Sequence, residues 1–502
     1  MPNIIMLHRN NQAGQKLVNL LSESIKELKH KDSYILGIPF IEISISTENS
    51  IKRTLNSEAS IKNCMERETM SQMLELSGIS FGQRAGETII KYYDVLIFDM
   101  NTISIRVRGK DSTSKYIKEA DSGKVAEIAR KTIYVMGLDY GMVTIALTGK
   151  RKIRVMDIFD SPELRKKDMN ALVNKIVLLT NQGYPRINPD NEIKMGADPE
   201  FMLFNARSGK MIAASDFFPR EGIIGCDNIR VPNRQQRPVA EVRPNPATSP
   251  RELTDNIKSA LSSANKLAPY RNVCWVAGSH PLSGYSIGGH IHFSNIVINF
   301  ALLRALDNYL GIIVFLIEDP ASASRRRKKY GHLADIRLKP YGGFEYRTLG
   351  SWLITPEITC AILCLAKIVA EHYFELSNVY LNDTEALQAF YQGNQEHFRP
   401  LFSKIWKEIS RTTTFNDYRE ELKVIPAMIE NKVTWDEGLD LKVTWKIEGR
   451  SRKNYSANKN KSAVIANRSS ARQRSNTNRS RSSRPSSSRT NSSPIHNTRI
   501  QP

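Results

Sequence analysis

Cysteine is scarce in this 502-residue sequence, and its five cysteines are not arranged for cross-linking or for zinc. The number is odd and no two are spaced as CxxC, so a disulfide framework and a zinc site are disfavoured and a reducing cytoplasm is expected. The first residues lack a basic segment followed by an apolar one, which predicts no secretory signal. The apolar run Gly311–Ile317 is far too short for a membrane span, and we expect none. The cysteines are Cys64, Cys226, Cys274, Cys360 and Cys364.

Two common catalytic arrangements are not predicted. The pattern GxxxxGK[ST] does not occur, which disfavours a P-loop nucleotide site. The pattern GxSxG occurs at Gly78–Gly82 and at Gly284–Gly288, but the first follows a predicted helix and the second precedes a predicted strand, so a nucleophile elbow of the α/β-hydrolase kind is not expected. A function must therefore be sought in other groupings of polar residues.

Acidic residues are absent from the C-terminal segment, residues 450–502, which contains 13 lysines and arginines. Subtracting these from the net charge of +21 leaves about +8 on residues 1–449, so the body is only mildly basic. The segment is rich in serine, arginine and asparagine and poor in large apolar residues, which predicts disorder. Two interpretations remain open: an arm that binds a polyanion, or a solvated tail without a specific partner.

The remainder divides into two predicted domains, residues 1–190 and 191–449. The first mixes strands and helices without the regular alternation of a doubly wound sheet. In the second, short strands are followed by helices, with Ser249-Pro250 typical of a helix start and Asn299–Glu318 predicted as a long apolar helix. This order predicts an α+β fold in which helices cover one face of an antiparallel sheet.

Polar residues two positions apart recur in four short segments of the second domain. In an extended strand such residues share a face, so neighbouring strands could line one surface with acids, imidazoles and guanidiniums. The segments are Asp198-Pro199-Glu200, Glu241-Val242-Arg243-Pro244, Gly289-His290-Ile291-His292-Phe293-Ser294 and Phe344-Glu345-Tyr346-Arg347.

That surface suits Mg-ATP and the joining of a carboxylate to an amine. Mg²⁺ prefers oxygen ligands, and arginines stabilise a phosphoryl group during transfer. Gly288 and Gly289 would let the backbone approach a ligand closely. Each segment has a simpler explanation, because an E-x-R pair is often a surface ion pair and a strand histidine often only fills a core or edge position. The candidate carboxylates are Asp198, Glu200, Asp227, Glu241 and Glu345, the imidazole is His290, and the phosphate-holding residues are Arg337 and Arg347.

The basic run Arg325-Arg326-Arg327-Lys328-Lys329 is predicted to lie in a loop. It could attract ATP or an anionic substrate, and a solvated run of charges is an equally good explanation.

The ordered motifs Gly196-Ala-Asp-Pro-Glu-Phe-Met-Leu203, Ala240–Pro246, Gly288–Ser294, Tyr330-Gly331 with Asp335-Ile-Arg337, and Phe344–Leu349 resemble those of phage-type amidoligases. These are carboxylate–amine ligases of the glutamine synthetase and glutamate–cysteine ligase superfamily. The resemblance implies an antiparallel half-funnel with Mg-ATP on its concave face. It assigns metal binding to Glu200, Glu241, His290, Glu345 and Asp227, with His292 as a further contact to the bound nucleotide. It implies that Arg337 and Arg347, together with Glu345, hold the phosphoryl group during its transfer.

The first domain is similar, more faintly, to the C-terminal part of ATP-grasp proteins of the spore-coat-associated kind. The segments that carry this similarity are Gly137–Val143 and Val155–Pro162. In ATP-grasp enzymes an acid is usually followed two residues later by asparagine, whereas Asp157 is followed by Phe159, so a metal ligand is missing. A shortened or non-catalytic ATP-grasp domain that recruits substrate is the expectation.

Two functions are therefore weighed. The first is an ATP- and Mg-dependent ligase that makes an amide or peptide bond through an acyl phosphate, on an amino acid, peptide, cell-wall or protein substrate. The second is a non-catalytic coat or assembly protein that uses the ligase fold as a scaffold and the basic tail to bind a polyanion. A cytoplasmic location is expected for the first and association with the spore coat for the second.

Overall fold

The computed structural model describes residues 4–46, 53–109, 113–182 and 191–447. The basic segment 450–502 lies outside the described residues, so its predicted disorder stays a prediction. The described residues all belong to one compact unit, and the predicted boundary near residue 190 stays a prediction. The architecture is mixed α/β with three sheets, two built from residues before Lys166 and one from residues after Gln182.

The first two sheets contain nine strands. Sheet one has the order β2-β3-β1-β4, in which β1 and β4 are parallel and the other pairs antiparallel, and sheet two is the antiparallel series β7-β6-β5-β8-β9. The strands are β1 (Ile4–Arg9), β2 (Leu28–Ile35), β3 (Ile38–Ile45), β4 (Arg53–Leu55), β5 (Ile89–Phe98), β6 (Asn101–Arg108), β7 (Ser114–Ile117), β8 (Tyr140–Thr148) and β9 (Ile153–Phe159).

The third sheet contains eight strands and carries all four polar segments. Six follow the order β12-β13-β10-β15-β17-β16, and β11 and β14 pair with β10 outside that path. Every pair is antiparallel, as the sequence predicts. The strands are β10 (Lys194–Asn205), β11 (Met211–Ile212), β12 (Ile224–Cys226), β13 (Val239–Val242), β14 (Val273–Val276), β15 (Gly289–Ser294), β16 (Ile336–Leu338) and β17 (Phe344–Tyr346).

Sixteen α-helices are found in the described residues. They are α1 (Gln12–Ser24), α2 (Glu58–Asn63), α3 (Arg67–Leu76), α4 (Gly123–Val135), α5 (Lys166–Gln182), α6 (Pro250–Leu267), α7 (Phe300–Ala305), α8 (Ile312–Ile317), α9 (Pro320–Arg327), α10 (Pro356–Glu371), α11 (Thr384–Gln392), α12 (Gln395–Phe398), α13 (Phe402–Ser410), α14 (Arg419–Leu422), α15 (Val424–Glu430) and α16 (Leu441–Thr444). Ser249 caps α6 as predicted, since its hydroxyl accepts a hydrogen bond from the Glu252 amide.

A π-helical segment, Leu306–Gly311, joins α7 to α8 into one continuous helix, Phe300–Ile317. This helix does reach the length and apolar composition of a membrane span, contrary to the expectation from its C-terminal run alone. Because 89% of it is buried inside the protein, core packing accounts for its apolar character. We call it the central helix.

Alternation along the third sheet separates a core face from a polar face. Phe293 stacks on Phe344 with ring centroids 5.2 Å apart, and Tyr346 reaches the central helix, where its hydroxyl donates to Asp307 at 2.7 Å. Burial of these aromatic side chains fixes the register, because a one-residue slip would expose them. The intervening residues of the same strands therefore point to the opposite face, which carries the candidate site.

Candidate functional site

Three rows of side chains cross the polar face of the third sheet. Residues directly opposite each other in an antiparallel pair lie on the same face, so the strand registers define the rows. One row contains His292, Glu345 and Arg337, the next contains Asp198 and His290, and the third pairs Glu200 with Glu241. The sequence predicted a shared face, and the registers bring its members together.

Asp198 occupies the middle of this face. Its Oδ1 lies 2.8 Å from His290 Nδ1, and its Oδ2 lies 3.0 Å from His292 Nε2. Burial would raise the pKa of the Asp198 carboxyl, but the two imidazoles beside it hold that pKa well below its ordinary value. Asp198 is therefore ionised at neutral pH and available as a ligand.

Glu345 is fully buried beneath three cationic side chains. Its Oε2 lies 2.5 Å from Lys339 Nζ and 3.3 Å from Arg337 NH1, and its Oε1 lies 3.0 Å from Arg347 Nε. The same Oε1 is 3.3 Å from His290 Nδ1. Glu345 thus stands between the histidines and the basic edge of the site.

Tyr330 connects His290 to Arg347. Its hydroxyl forms a hydrogen bond with His290 Nε2 and accepts another from Arg347 at 3.1 Å. The guanidiniums of Arg326 and Arg347 lie 4.6 and 5.2 Å from the centre of its ring. Burial raises the pKa of the Tyr330 phenol, so it stays protonated and orients its neighbours.

The opposite edge of the site is acidic. The Glu200 carboxylate accepts a hydrogen bond of 2.7 Å from the Gly288 amide, and Glu241 pairs with Arg243. Burial first, and then the negative charge of Asp227, raises the pKa of Glu200 well above its ordinary value. Burial and the charge of Asp198 raise the pKa of Glu241 to about 7. The carboxylates of Glu200, Glu241 and Asp227 therefore lie close together, and the neighbouring cations do not balance their charge.

Asp227 is half-buried and lies near Glu200, but its Oδ1 accepts a hydrogen bond from the Ile229 amide at 2.7 Å. It therefore shapes the turn after β12 as well as adding charge to the acidic edge. Among the sequence-predicted residues it is the one most engaged in local structure.

The residues present fit a divalent cation. Ligand atoms of Asp198, His292 and Glu345 lie within 4.8 Å of one another. Among the described residues, this is the group of three possible metal ligands that comes so close together. Several of the facing atoms are buried at ion-pair distance without a well-oriented hydrogen bond, namely Asp198 Oδ1, His290 Nδ1, His292 Nε2 and Glu345 Oε1. Such atoms are costly to leave unsatisfied, and a cation bound between them would satisfy the carboxylates.

The expectation for the basic run 325–329 needs correction. The run 325–329 is not a loop of solvated charges, because Arg326 and Arg327 lie in α9 and are buried. Arg327 pairs with the buried Glu318, and Arg326 donates to the Thr348 carbonyl at 2.7 Å. Only the other three residues of the run are exposed.

Gly288 and Gly289 allow close packing within the protein. A Cβ on Gly289 would lie 2.5 Å from Trp352 Nε1, and one on Gly288 would lie 2.6 Å from His290 Nε2. Close approach of a ligand to this backbone stays a prediction.

Metal binding by Glu200, Asp227, Glu241, His290 and Glu345 stays a prediction. The ligand atoms that converge belong to Glu345 of that set together with Asp198 and His292. Lys339 was missed, although the alternation Asp335-Ile-Arg337-Leu-Lys339 places three charged residues on one face and could have revealed it.

The first domain offers no comparable group among its described residues. Asp139, in the segment similar to ATP-grasp proteins, is buried and paired with Arg53 at 2.5 Å and Arg304 at 2.7 Å. Burial would raise the pKa of Asp139, but these two guanidiniums lower it to about 2. Asp157 is half-buried and its side chain accepts a hydrogen bond from the Ile158 amide. Both acids therefore have structural partners.

Three solved structures show a local likeness to this chain. The ATP-grasp ligase PsnB, complexed with precursor peptide PsnA2 and AMPPNP, is 12% identical over 26% of this chain and 63% of its own, with a TM-score of 0.23. The macrocyclase MdnB from Microcystis aeruginosa MRC is 9% identical over 36% of this chain and 98% of its own, with a TM-score of 0.25. A bifunctional glutathione synthetase from Pasteurella multocida is 11% identical over 51% of each chain, with a TM-score of 0.33. All three scores are below 0.5, so no shared fold follows from them.

No curated protein matches the sequence. The model of one protein family does match, with the description "Phage phiEco32-like COOH.NH2 ligase-type 2", over residues 195–447. The matched residues make up half of the chain and include every member of the three rows described above. The chain therefore belongs to this family of amide-forming carboxylate–amine ligases.

Proposed function

We propose that the protein uses ATP and Mg²⁺ to activate a substrate carboxylate as an acyl phosphate, which an amine then converts to an amide. The observation that carries this proposal is the gradient across one sheet face, from the acidic edge at Glu200 and Glu241, through the histidines, to the basic edge at Arg337, Lys339 and Arg347. In such a reaction a cation must neutralise the phosphates while guanidiniums hold the transferring group.

In this proposal the cation-holding residues are Asp198, His292 and Glu345, with Glu200, Glu241, Asp227 and His290 beside them. Bound Mg²⁺ would offset the charge of the ATP phosphates and of the crowded carboxylates. If Glu345 bound the cation, its carboxylate would pair less strongly with Lys339, Arg337 and Arg347. The N–H groups of these three residues would then be free to donate to phosphate oxygens. The antiparallel sheet would thus act as the nucleotide-binding wall of a glutamine synthetase-like half-funnel.

The proposed chemistry balances in two steps. A substrate carboxylate oxygen attacks the γ-phosphorus of ATP, forming the acyl phosphate and releasing ADP. The neutral amine then attacks the acyl carbon, a C–N bond forms, inorganic phosphate leaves and the amine gives up a proton. Arg337, Arg347 and Lys339 would stabilise negative charge on the phosphoryl oxygens in both steps.

The test compares wild type with Glu345→Gln, which keeps the shape of the side chain and removes its charge. The control is Glu163→Gln, an exposed residue of the first domain. We expect wild type and control to release ADP and phosphate only when both a carboxylate and an amine from a broad panel are present, and Glu345→Gln to lose about 100-fold or more in rate. We also expect Mg²⁺-dependent binding of a non-hydrolysable ATP analogue to weaken about 10-fold or more in this variant.

Equal inactivity of all three proteins over the panel, together with equal binding of the analogue, would remove the support for the proposal. The scaffold alternative rests on the segment 450–502, which lies outside the described residues. Its polyanion binding, the coat association and the cytoplasmic location stay predictions.

A further inference from the structure

A cleft of about 410 Å³ lies between the first domain and the basic edge of the site. One wall is a single face of α4, contributed by Gly123, Glu127, Arg130, Lys131 and Tyr134. These residues recur at helical spacing, so their side chains share the side that faces the third sheet. The site therefore has a neighbouring cavity whose wall comes from outside the residues matched by the family model.

The opposite wall belongs to the site itself. It is formed by residues 334–338 and by Arg347. Because Arg337 and Arg347 also pair with Glu345, the cleft opens onto the residues assigned above to the phosphoryl group. A molecule in the cleft would have one end beside that group.

Lys131 is the unusual member of the lining. Arg130 pairs with Glu119 at 2.5 Å and donates to Thr102 at 2.8 Å, and Arg347 is held by Glu345 and Tyr330. Lys131 has neither an ion pair nor a side-chain hydrogen bond with any residue that the structure describes, although it is half-buried. Burial lowers the pKa of its ammonium group, because the nearby acids Asp335 and Glu127 do not fully offset the loss of water. Because a partly desolvated cation without a partner is costly, a bound anion would stabilise it.

The charges around Lys131 favour a small zwitterion over a phosphate. The other cations of the lining, Arg130, Arg337 and Arg347, are each paired with a glutamate. A phosphate beside Lys131 would therefore meet one unpaired cation and would be repelled by the carboxylates of Asp335 on one wall and of Glu127 one helical turn before Lys131. An α-amino acid has a single carboxylate that matches Lys131 and an ammonium group that matches these acids. The cleft thus has the charge pattern of an amino-acid head group.

We propose that this cleft binds an amino-acid substrate, with Lys131 pairing to a carboxylate that the ligase reaction does not consume. The inference rests on the function proposed above and adds the substrate class and the contribution of the first domain. The shared chemistry is a free amino-acid carboxylate, whether the molecule enters the reaction as the acid or as the amine.

Binding can be measured without turnover by saturation-transfer NMR on the full-length protein. The probes are L-glutamate and L-alanine, with L-alaninamide as the analogue that lacks a carboxylate. The variants are Lys131→Met, which keeps side-chain length, Lys131→Arg, which keeps charge, and Lys124→Met, an exposed lysine on the same helix, as the control.

We expect both amino acids to bind wild type, Lys124→Met and Lys131→Arg, and alaninamide to bind none of them detectably. We expect Lys131→Met to weaken amino-acid binding at least fivefold. The inference is overturned if neither amino acid binds wild type or if alaninamide binds as well as the amino acids do. It is also overturned if Lys131→Met binds the amino acids as wild type does, provided that Lys131→Arg is folded.

This outcome is separable from the ligase proposal. Amino-acid binding that depends on Lys131, with no ATP-dependent turnover in any variant, would retain the cleft and remove the ligase chemistry. Turnover that depends on Glu345, with KM values for the acid and for the amine that Lys131→Met leaves unchanged, would retain the ligase chemistry and remove the cleft. A rise in KM for only one of the two substrates would show which of them the cleft holds.

Discussion

Asp307 is expected to make the stability of the protein depend on pH in a defined window. This carboxyl lies in the π-helical segment and is 1% exposed. It accepts hydrogen bonds from Tyr134 at 2.6 Å, Tyr346 at 2.7 Å and the Ala334 amide at 2.9 Å. Burial raises its pKa from 3.8 to about 6, because the three donors compensate only in part for lost water.

A raised carboxyl pKa means that the folded protein holds this proton more tightly than the unfolded chain does. The free energy of unfolding is therefore highest below about pH 4 with respect to this group and falls as the pH rises to about 6, where the folded protein loses the proton. A shift of about two pKa units at about 1.4 kcal/mol per unit gives a loss of about 3 kcal/mol.

Asp307→Asn removes the titration. An amide must place its NH₂ near a backbone or phenol donor, so the variant also has a cost that does not depend on pH. We expect the variant to gain about 3 kcal/mol relative to wild type between pH 4 and pH 7, whatever its offset at pH 4. The assay is urea unfolding followed by tryptophan fluorescence at both values, with the exposed Asp255→Asn as the control. A relative change below about 1 kcal/mol, with equal denaturant slopes, would refute the reasoning.

Two further substitutions test buried polar contacts. Arg327→Met should lower the free energy of unfolding by about 3 to 5 kcal/mol, because it leaves the buried Glu318 without its cationic partner. Arg325→Met, at an exposed position, should change it by less than about 0.5 kcal/mol. Equal effects of the two substitutions in thermal unfolding would contradict this role of Arg327. Asn56→Ala should cost about 3 kcal/mol, because the fully buried Asn56 has a φ of 51° and its side chain makes four hydrogen bonds to the backbone; a loss below about 1 kcal/mol would show that these bonds are replaced.

The polar face was accessible to sequence reasoning because it depends only on local geometry. Residues two apart on a strand must share a face, and this held for the segments around Asp198, His290 and Glu345. The register of those strands could not be derived, because it is set by pairing between segments as much as 100 residues apart and by the burial of residues such as Phe293 and Phe344. Without the register, Asp198 could not be distinguished from Glu200 as the acid between the histidines.

The basic run shows a different limit. Five consecutive basic residues favour a solvated surface, but the guanidinium of Arg327 lies 4.2 Å from the ring centre of Phe390 and 5.2 Å from that of Phe315. Phe315 and Phe390 come from α8 and α11, and Glu318 directly follows α8, so no pattern within the run itself indicates these partners. A composition rule fails wherever tertiary partners offset the cost of burying a charge.

The central helix explains how a site can be shared between two parts of the chain. Asp307 contacts Tyr134 of α4 and Tyr346 of β17, and Arg304 pairs with Asp139 of the first domain. Buried charges contribute little net stability, since their desolvation offsets most of their attraction. Their effect here is positional: each has one set of partners, so α4 can sit against β17 in one arrangement only. The cleft beside Lys131 is bounded by α4 on one side and by β16 and Arg347 on the other, and Arg347 directly follows β17, so its shape depends on these core contacts.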